Sequence, residues 1–208
     1  MCQWGTEQVW VWANPVGNSW RTTYDIHNTY HSMLKNLDGQ IGLSKYARSG
    51  GWNDPDMLEV GNALMTREEY QSHFALWAVL KAPLLMGNNV EGMTRETLDI
   101  LGNEEVIAVN QDPLGHQGDL MWDERGDGFH RQVWGGPLSD NRFVFLCFNR
   151  GDSFYRFNLD LNTLIPTVTP VSAREIIGLR DVPIEKGFIV SDELNQHASA
   201  MFVVKYEQ

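Results

Sequence analysis

Two short stretches hold the groups best suited to chemistry. GNSWRTTYDIHNTY, residues 17–30, carries Arg21 and Asp25 four positions apart, and GGWNDPDMLEVG, residues 50–61, sets Asp54, Asp56 and Glu59 beside Trp52 and Met57. Carboxylates crowded against apolar side chains are costly unless they are hydrogen-bonded or in use, because leaving water disfavours the charged form. On a helix, Arg21 and Asp25 would be a surface ion pair worth a few tenths of a kcal/mol. The β-branched and aromatic residues after Gly-Asn-Ser argue instead for a strand running into a loop. Asp25 would then stand at a pocket edge, with Arg21 holding a hydroxyl or a second carboxylate. His27 and His31 could face one metal from a helix, but no third ligand lies nearby, so they read as solvated or packed side chains. The sequence calls for no metal and no cofactor.

The elements that must position these groups fall into two textures. Residues 1–112 alternate short apolar stretches with helix-like ones. In EEYQSHFALWAVLKAPLL, Tyr70, Phe74 and Trp77 follow helical spacing, Thr66 and Glu69 form a capping-box pattern, and Pro83 is a stop. PLLMGN then has the composition of a buried strand. A second helix is expected from Thr94, as N-cap, to Gly102. Strand–helix alternation predicts an α/β layout with parallel strands and functional groups on the loops after them. From residue 113 the segments are short, turn-bounded and β-prone. RQVWGGPLSDNRFVFLCFNRG reads as two strands joined through a Gly-Pro and Ser-Asp-Asn turn, and the region as a small antiparallel β-sandwich.

Bulk properties narrow the function class. Acids outnumber bases 27 to 16, for a formal net charge of -11, which argues against nucleic acid or an anionic membrane as partner. A neutral substrate fits better, and aromatics at 11% of residues suit sugar binding, although most such rings serve the core. No run of about 18 apolar residues suggests a membrane span, and MCQWGTEQ has no signal-peptide pattern. Cys2 and Cys147 form neither a disulfide framework nor a CxxC site.

GNSWRTTYDI and GGWNDPDMLEVGN, followed by YQSHFALWAVLKAPLLMGN and EVIAVNQDPLGHQG, resemble the α-galactosidases (melibiases) of glycoside hydrolase family 27. The similarity runs from CQWG through NQDPLGHQG and weakly into the tail. It implies a (β/α)8 TIM barrel, of which residues 1–112 would be the C-terminal half (about strands 5 to 8), and an antiparallel β-sandwich over residues 113–208. It also implies retaining hydrolysis of terminal α-D-galactose in melibiose, raffinose, galactomannans or glycolipids, with two carboxyls about 5 Å apart. By the WRxxxD motif Asp25 would be the acid/base, Arg21 a sugar contact, and Asp56 and Met57 galactose-binding residues. Trp52 would support Asp56, Asp54 would brace the loop, and Glu59 would be structural. Gln3 and Trp4 would line the substrate loop, and Gln3, bulkier than the family's frequent Ser, leans towards galactose over N-acetylgalactosamine.

The sequence departs from that pattern in one important way. The family nucleophile is an Asp in a Lys-Tyr-Asp-like strand motif, and that motif does not occur here; MCQWG aligns to the end of the fifth barrel strand. The expectation is therefore either an enzyme whose nucleophile comes from a further N-terminal half or a homo-oligomer, or a non-catalytic galactose-binding or structural fragment. The cysteine that pairs with Cys2 in many members is replaced by Gly17, and Cys147 is expected as a buried free thiol. Family habit places such proteins outside the cell or in the lysosome or vacuole.

Overall fold

The computed structural model describes residues 7–207. After a short helix α1 (Val9–Trp12), strand β1 (Ser19–Arg21) leads through a loop to α2 (Tyr30–Asp38), then β2 (Trp52–Asp54) and the long helix α3 (Arg67–Val79). β1 and β2 pair in parallel, with Ser19 opposite Trp52 and Arg21 opposite Asp54. Their C-terminal ends therefore coincide, and the loops that follow leave the sheet on the same side.

Thr66 and Glu69 make the capping box of α3, satisfying two orphan N–H groups at once. Thr29 caps α2, Thr94 caps α4 (Arg95–Leu101) and Asn103 caps α5 (Glu104–Asn110). α3 is buried on nearly every side from Glu69 onward, so hydrophobic residues surround it instead of forming one stripe. PLLMGN is not a strand. It makes a single parallel bridge, Leu58 to Met86, and Leu85 and Met86 are exposed. Pro83 supplies no N–H and no second strand flanks the segment among the described residues, so apolar composition alone could not order it.

The rest is mostly sheet. β3 (Asp119–Gly126), β4 (Phe129–Leu138) and β5 (Arg142–Asn149) are followed by β6 (Tyr155–Asp160), a one-turn helix α6 (Leu161–Leu164), β7 (Thr169–Glu175), β8 (Arg180–Val182), β9 (Phe188–Leu194) and β10 (Ser199–Glu207). Six strands form one antiparallel sheet in the order β3-β4-β5-β10-β7-β8, and β6 pairs with β9. β5 is buried throughout its second half because both faces are covered. Val144, Leu146 and Phe148 join the core built around α3, whereas Phe145 and Cys147 join the core shared with β6 and β9. Cys147 is a buried free thiol whose pKa is pushed well up by burial. Gly136 and Pro137 lie inside β4 and only Ser139–Asn141 turn, with Asp140 and Asn141 at positive φ. Glycine is required where the helices meet the sheet: a Cβ on Gly118 would come within 2.4 Å of Val79 Cγ1.

Buried His73 on α3 fixes one protonation state. Its Nε2 accepts a 3.0 Å hydrogen bond from the Glu59 backbone N–H, and burial lowers its pKa to about 3. The unfolded chain binds a proton below the ordinary value of 6.5 and the folded one does not, so stability falls as pH drops from 6.5 towards 3, by about 1.4 kcal/mol per unit. His73→Gln should remove that slope from urea-denaturation free energies measured between pH 7 and 4. An unchanged slope in the variant would refute the assignment.

Candidate active site

The parallel register of β1 and β2 decides where the acids go. Arg21 ends β1 and Asp54 ends β2 opposite it, so Asp25 and Asp56, a few residues further on, emerge at the same end of the pair. There the Arg21 guanidinium, itself buried, places Nη2 2.7 Å from Asp56 Oδ2 and 3.2 Å from Asp25 Oδ1. One donor group thus gathers both carboxylates, which explains how two acids tolerate close approach. Asp25 keeps 70% of its side chain exposed, against 15% for Asp56. The two acids are consequently unlike: one faces solvent, the other is held.

Asp56 is fixed from several directions. Its Oδ2 accepts from the Ile26 N–H and its Oδ1 from its neighbour Met57, both at 2.8 Å. Its backbone has φ of 85°, a region costly for a residue with a Cβ unless the surroundings enforce it. Two contacts do so: the Asp56 N–H donates to Asp54 Oδ1 at 2.8 Å, and its carbonyl accepts from Trp77 Nε1 at 2.7 Å. Asp54 braces the loop as its place beside Pro55 suggested, and burial raises its pKa, opposed by the Asp56 N–H and Arg21.

Trp52 does not support Asp56. It begins β2, and its ring reaches the neighbourhood of Gly115 and Ser49 at the other end of the strand pair. Four extended residues span about 13 Å, so proximity in sequence misled; the indole that serves Asp56 is Trp77. Glu59 is buried and accepts from Asn62 Nδ2 at 2.5 Å, a structural part. Met57 is half-buried, its sulfur seated where a Cβ on Gly87 would come within 2.6 Å. Gln3 and Trp4 lie outside the described residues, as does Cys2.

Asn36 was not foreseen. It is buried on α2, and its Nδ2 donates to the carbonyls of Tyr24 at 3.1 Å and Pro55 at 2.9 Å, the residues just before Asp25 and Asp56. One carboxamide therefore ties the two acid-bearing loops together. A polar residue between Met33 and Leu37 on the buried face of α2 was the available signal. Beneath the site, Asn53 Oδ1 accepts from Trp20 Nε1 at 2.8 Å while its Nδ2 donates to Gln117 Oε1 at 2.9 Å, locking β1 to β2.

Together these contacts make a solvent-facing carboxylate and a fixed one on a single arginine. The first can exchange protons with a bound group; the second can accept hydrogen bonds from hydroxyls.

Comparison with known proteins bears on that chemistry. The family model described as Alpha galactosidase A matches residues 7–112. Alpha-galactosidase 3 of Arabidopsis thaliana is 45% identical across 98% of this chain and 47% of its own length. The α-galactosidase of Cyamopsis tetragonoloba is 43% identical across 98% and 49%. The chain thus spans about half the length of the curated relatives it matches. Among solved structures, α-galactosidase I from Mortierella vinacea superposes with a TM-score of 0.86 at 30% identity, covering 97% of this chain and 56% of that one. An α-galactosidase from Saccharomyces cerevisiae, solved with raffinose, gives 0.90 at 20% identity over 98% of this chain and 63% of that one, a likeness of fold alone.

Proposed function

This chain belongs to the alpha galactosidase A family, and on that premise we propose that it contributes the acid/base half of an α-galactosidase that hydrolyses terminal α-linked galactose. The reading extends to the fold: residues 1–112 as the C-terminal half of a (β/α)8 barrel and residues 113–208 as a β-sandwich. Active sites of such barrels sit at the C-terminal ends of the strands, the end at which Asp25 and Asp56 meet.

The observation that carries the proposal is the Arg21 guanidinium shared by Asp25 and Asp56. Asp25, open to solvent, protonates the glycosidic oxygen as the bond to galactose breaks and then takes a proton from the water that releases the sugar. Asp56, with both oxygens already ordered by the Ile26 and Met57 N–H groups, uses its remaining acceptor capacity on sugar hydroxyls. The nucleophilic carboxylate is supplied by barrel strands outside this sequence, in the same polypeptide or another. Substrates in this reading are small α-galactosides such as melibiose and raffinose, or galactose side groups of larger glycans.

The sequence contains no nucleophile motif, and that favours a second reading, a galactose-binding fragment without turnover. The two part on one experiment: the chain is mixed with the N-terminal half of its Arabidopsis thaliana relative, complex formation is followed by native mass spectrometry, and p-nitrophenol release from p-nitrophenyl α-galactoside is measured. Turnover confined to the complex supports the enzyme; a complex that forms and stays inactive supports the fragment.

A further inference from the structure

Resting on the α-galactosidase reading of Asp25 and Asp56, we infer that Asn36 is a positioning residue. Its carboxamide locks the Pro55–Asp56 peptide in a strained orientation and so sets the sugar-binding carboxylate of Asp56 against the acid/base Asp25.

The strain is in Asp56, at φ 85°, where a Cβ is crowded. Turning the Pro55–Asp56 peptide plane over would change only the torsions on either side of that rigid unit, ψ of Pro55 and φ of Asp56, and would return Asp56 to a negative φ. The Pro55 ring does not prevent this, because it fixes φ and leaves ψ free. Both ends of the plane therefore have to be held. The N–H end donates to Asp54 Oδ1 at 2.8 Å, and the carbonyl end accepts from Asn36 Nδ2 at 2.9 Å. A flipped plane would set N–H against the Asn36 amino group and C=O against the Asp54 carboxylate, donor to donor and acceptor to acceptor. Asn36 cannot adapt by turning its own oxygen inward, since the same Nδ2 also donates to the Tyr24 carbonyl at 3.1 Å.

That second bond carries the lock to the other acid. Tyr24 precedes Asp25, and Ile26, which follows it, donates its N–H to Asp56 Oδ2 at 2.8 Å. The backbone of Asp25 is thus pinned on both flanks, by Asn36 and by the carboxylate that Asn36 helps to place. This matters because the Asp25 side chain itself is 70% exposed. Packing alone does not call for a carboxamide at this point: Asn36 is 2% exposed and lies on the face of α2 that buries Met33 and Leu37, where an apolar side chain would avoid the cost of burying a polar one.

The test is Asn36→Leu, close in volume and without donors. In the chain alone, the Asp56 N–H and Hα lie close together at positive φ and give a strong NMR cross-peak within the residue. That cross-peak should weaken in the variant while the amide spectrum stays that of a folded chain. In the complex with the N-terminal half, the inhibition constant for galactose should rise about tenfold, as when the binding-competent orientation falls to about one part in ten. Asn36→Asp, equal in shape, supplies the rescue. Ionised, its carboxylate repels both carbonyls; protonated, it returns one O–H donor, so the cross-peak and galactose binding, each relative to the unsubstituted protein, should recover as pH falls. A side chain that only fills space would show no such recovery. An undiminished cross-peak in Asn36→Leu, unchanged galactose binding despite its loss, or no recovery in Asn36→Asp would overturn the positioning role. Absence of turnover in the unsubstituted complex would instead count against the acid/base reading, because the cross-peak is read in the chain alone.

Discussion

Asp25→Ala, in the chain completed by a nucleophile-bearing half, should lower turnover of raffinose by about 10²–10⁴-fold, the usual contribution of a positioned general acid. Formation of the glycosyl intermediate from p-nitrophenyl α-galactoside should fall much less, because p-nitrophenolate departs without a proton. The aryl substrate would then show a rapid burst followed by slow release, since the water attacking the intermediate has lost its base. Stability should barely change: Asp25 is 70% exposed, so solvent screens its contact with the buried Arg21, and Arg21 keeps its pairing with Asp56; exposed pairs are commonly worth about 0–1 kcal/mol. Stopped-flow kinetics beside a thermal melt separate the two effects. Equal losses in the step that forms the intermediate from both substrates, with no burst from the aryl one, would remove Asp25 from the acid/base role.

Arg21→Leu is the counterpart in stability. The guanidinium is buried and pairs with Asp56, whose side chain is 15% exposed; without it a nearly buried carboxylate keeps only backbone N–H partners. Breaking one side of such a pair costs about 3–5 kcal/mol, a large part of the roughly 5–15 kcal/mol typical of a domain. The penalty comes from the stranded charge, so Asp56→Asn in the same chain should recover much of it. Urea denaturation of both single variants and the double variant gives the coupling; simple additivity would show that Arg21 stabilises by packing alone.

What the sequence disclosed depended on whether the signal was local. The Thr66–Glu69 capping box, the Thr94 cap and the strand β5 are written within a few residues of where they act, and each is present, although β5 alternates between two cores and not between core and solvent. The WRxxxD and WNDPDM stretches place their arginine and two acids together because a parallel register is set by the strands that carry them. PLLMGN failed because a strand needs a neighbour paired along its length, and this segment makes only the Leu58–Met86 bridge. Trp52, adjacent in sequence, is not the support of Asp56 because the indole that reaches Asp56 comes from a helix 21 residues further on. Asn36 escaped notice for a related reason: its partners are backbone carbonyls, which leave no residue type to read.

The central claim, that Asp25 is the acid/base, is tested most directly by chemical rescue. With Asp25→Gly in the completed enzyme and p-nitrophenyl α-galactoside as substrate, sodium azide should restore steady-state turnover and yield α-galactosyl azide, since an anion that needs no base can attack the intermediate from the vacated side. Turnover unaffected by azide, with galactose as the sole product and a rate near that of the unmodified chain, would contradict the account.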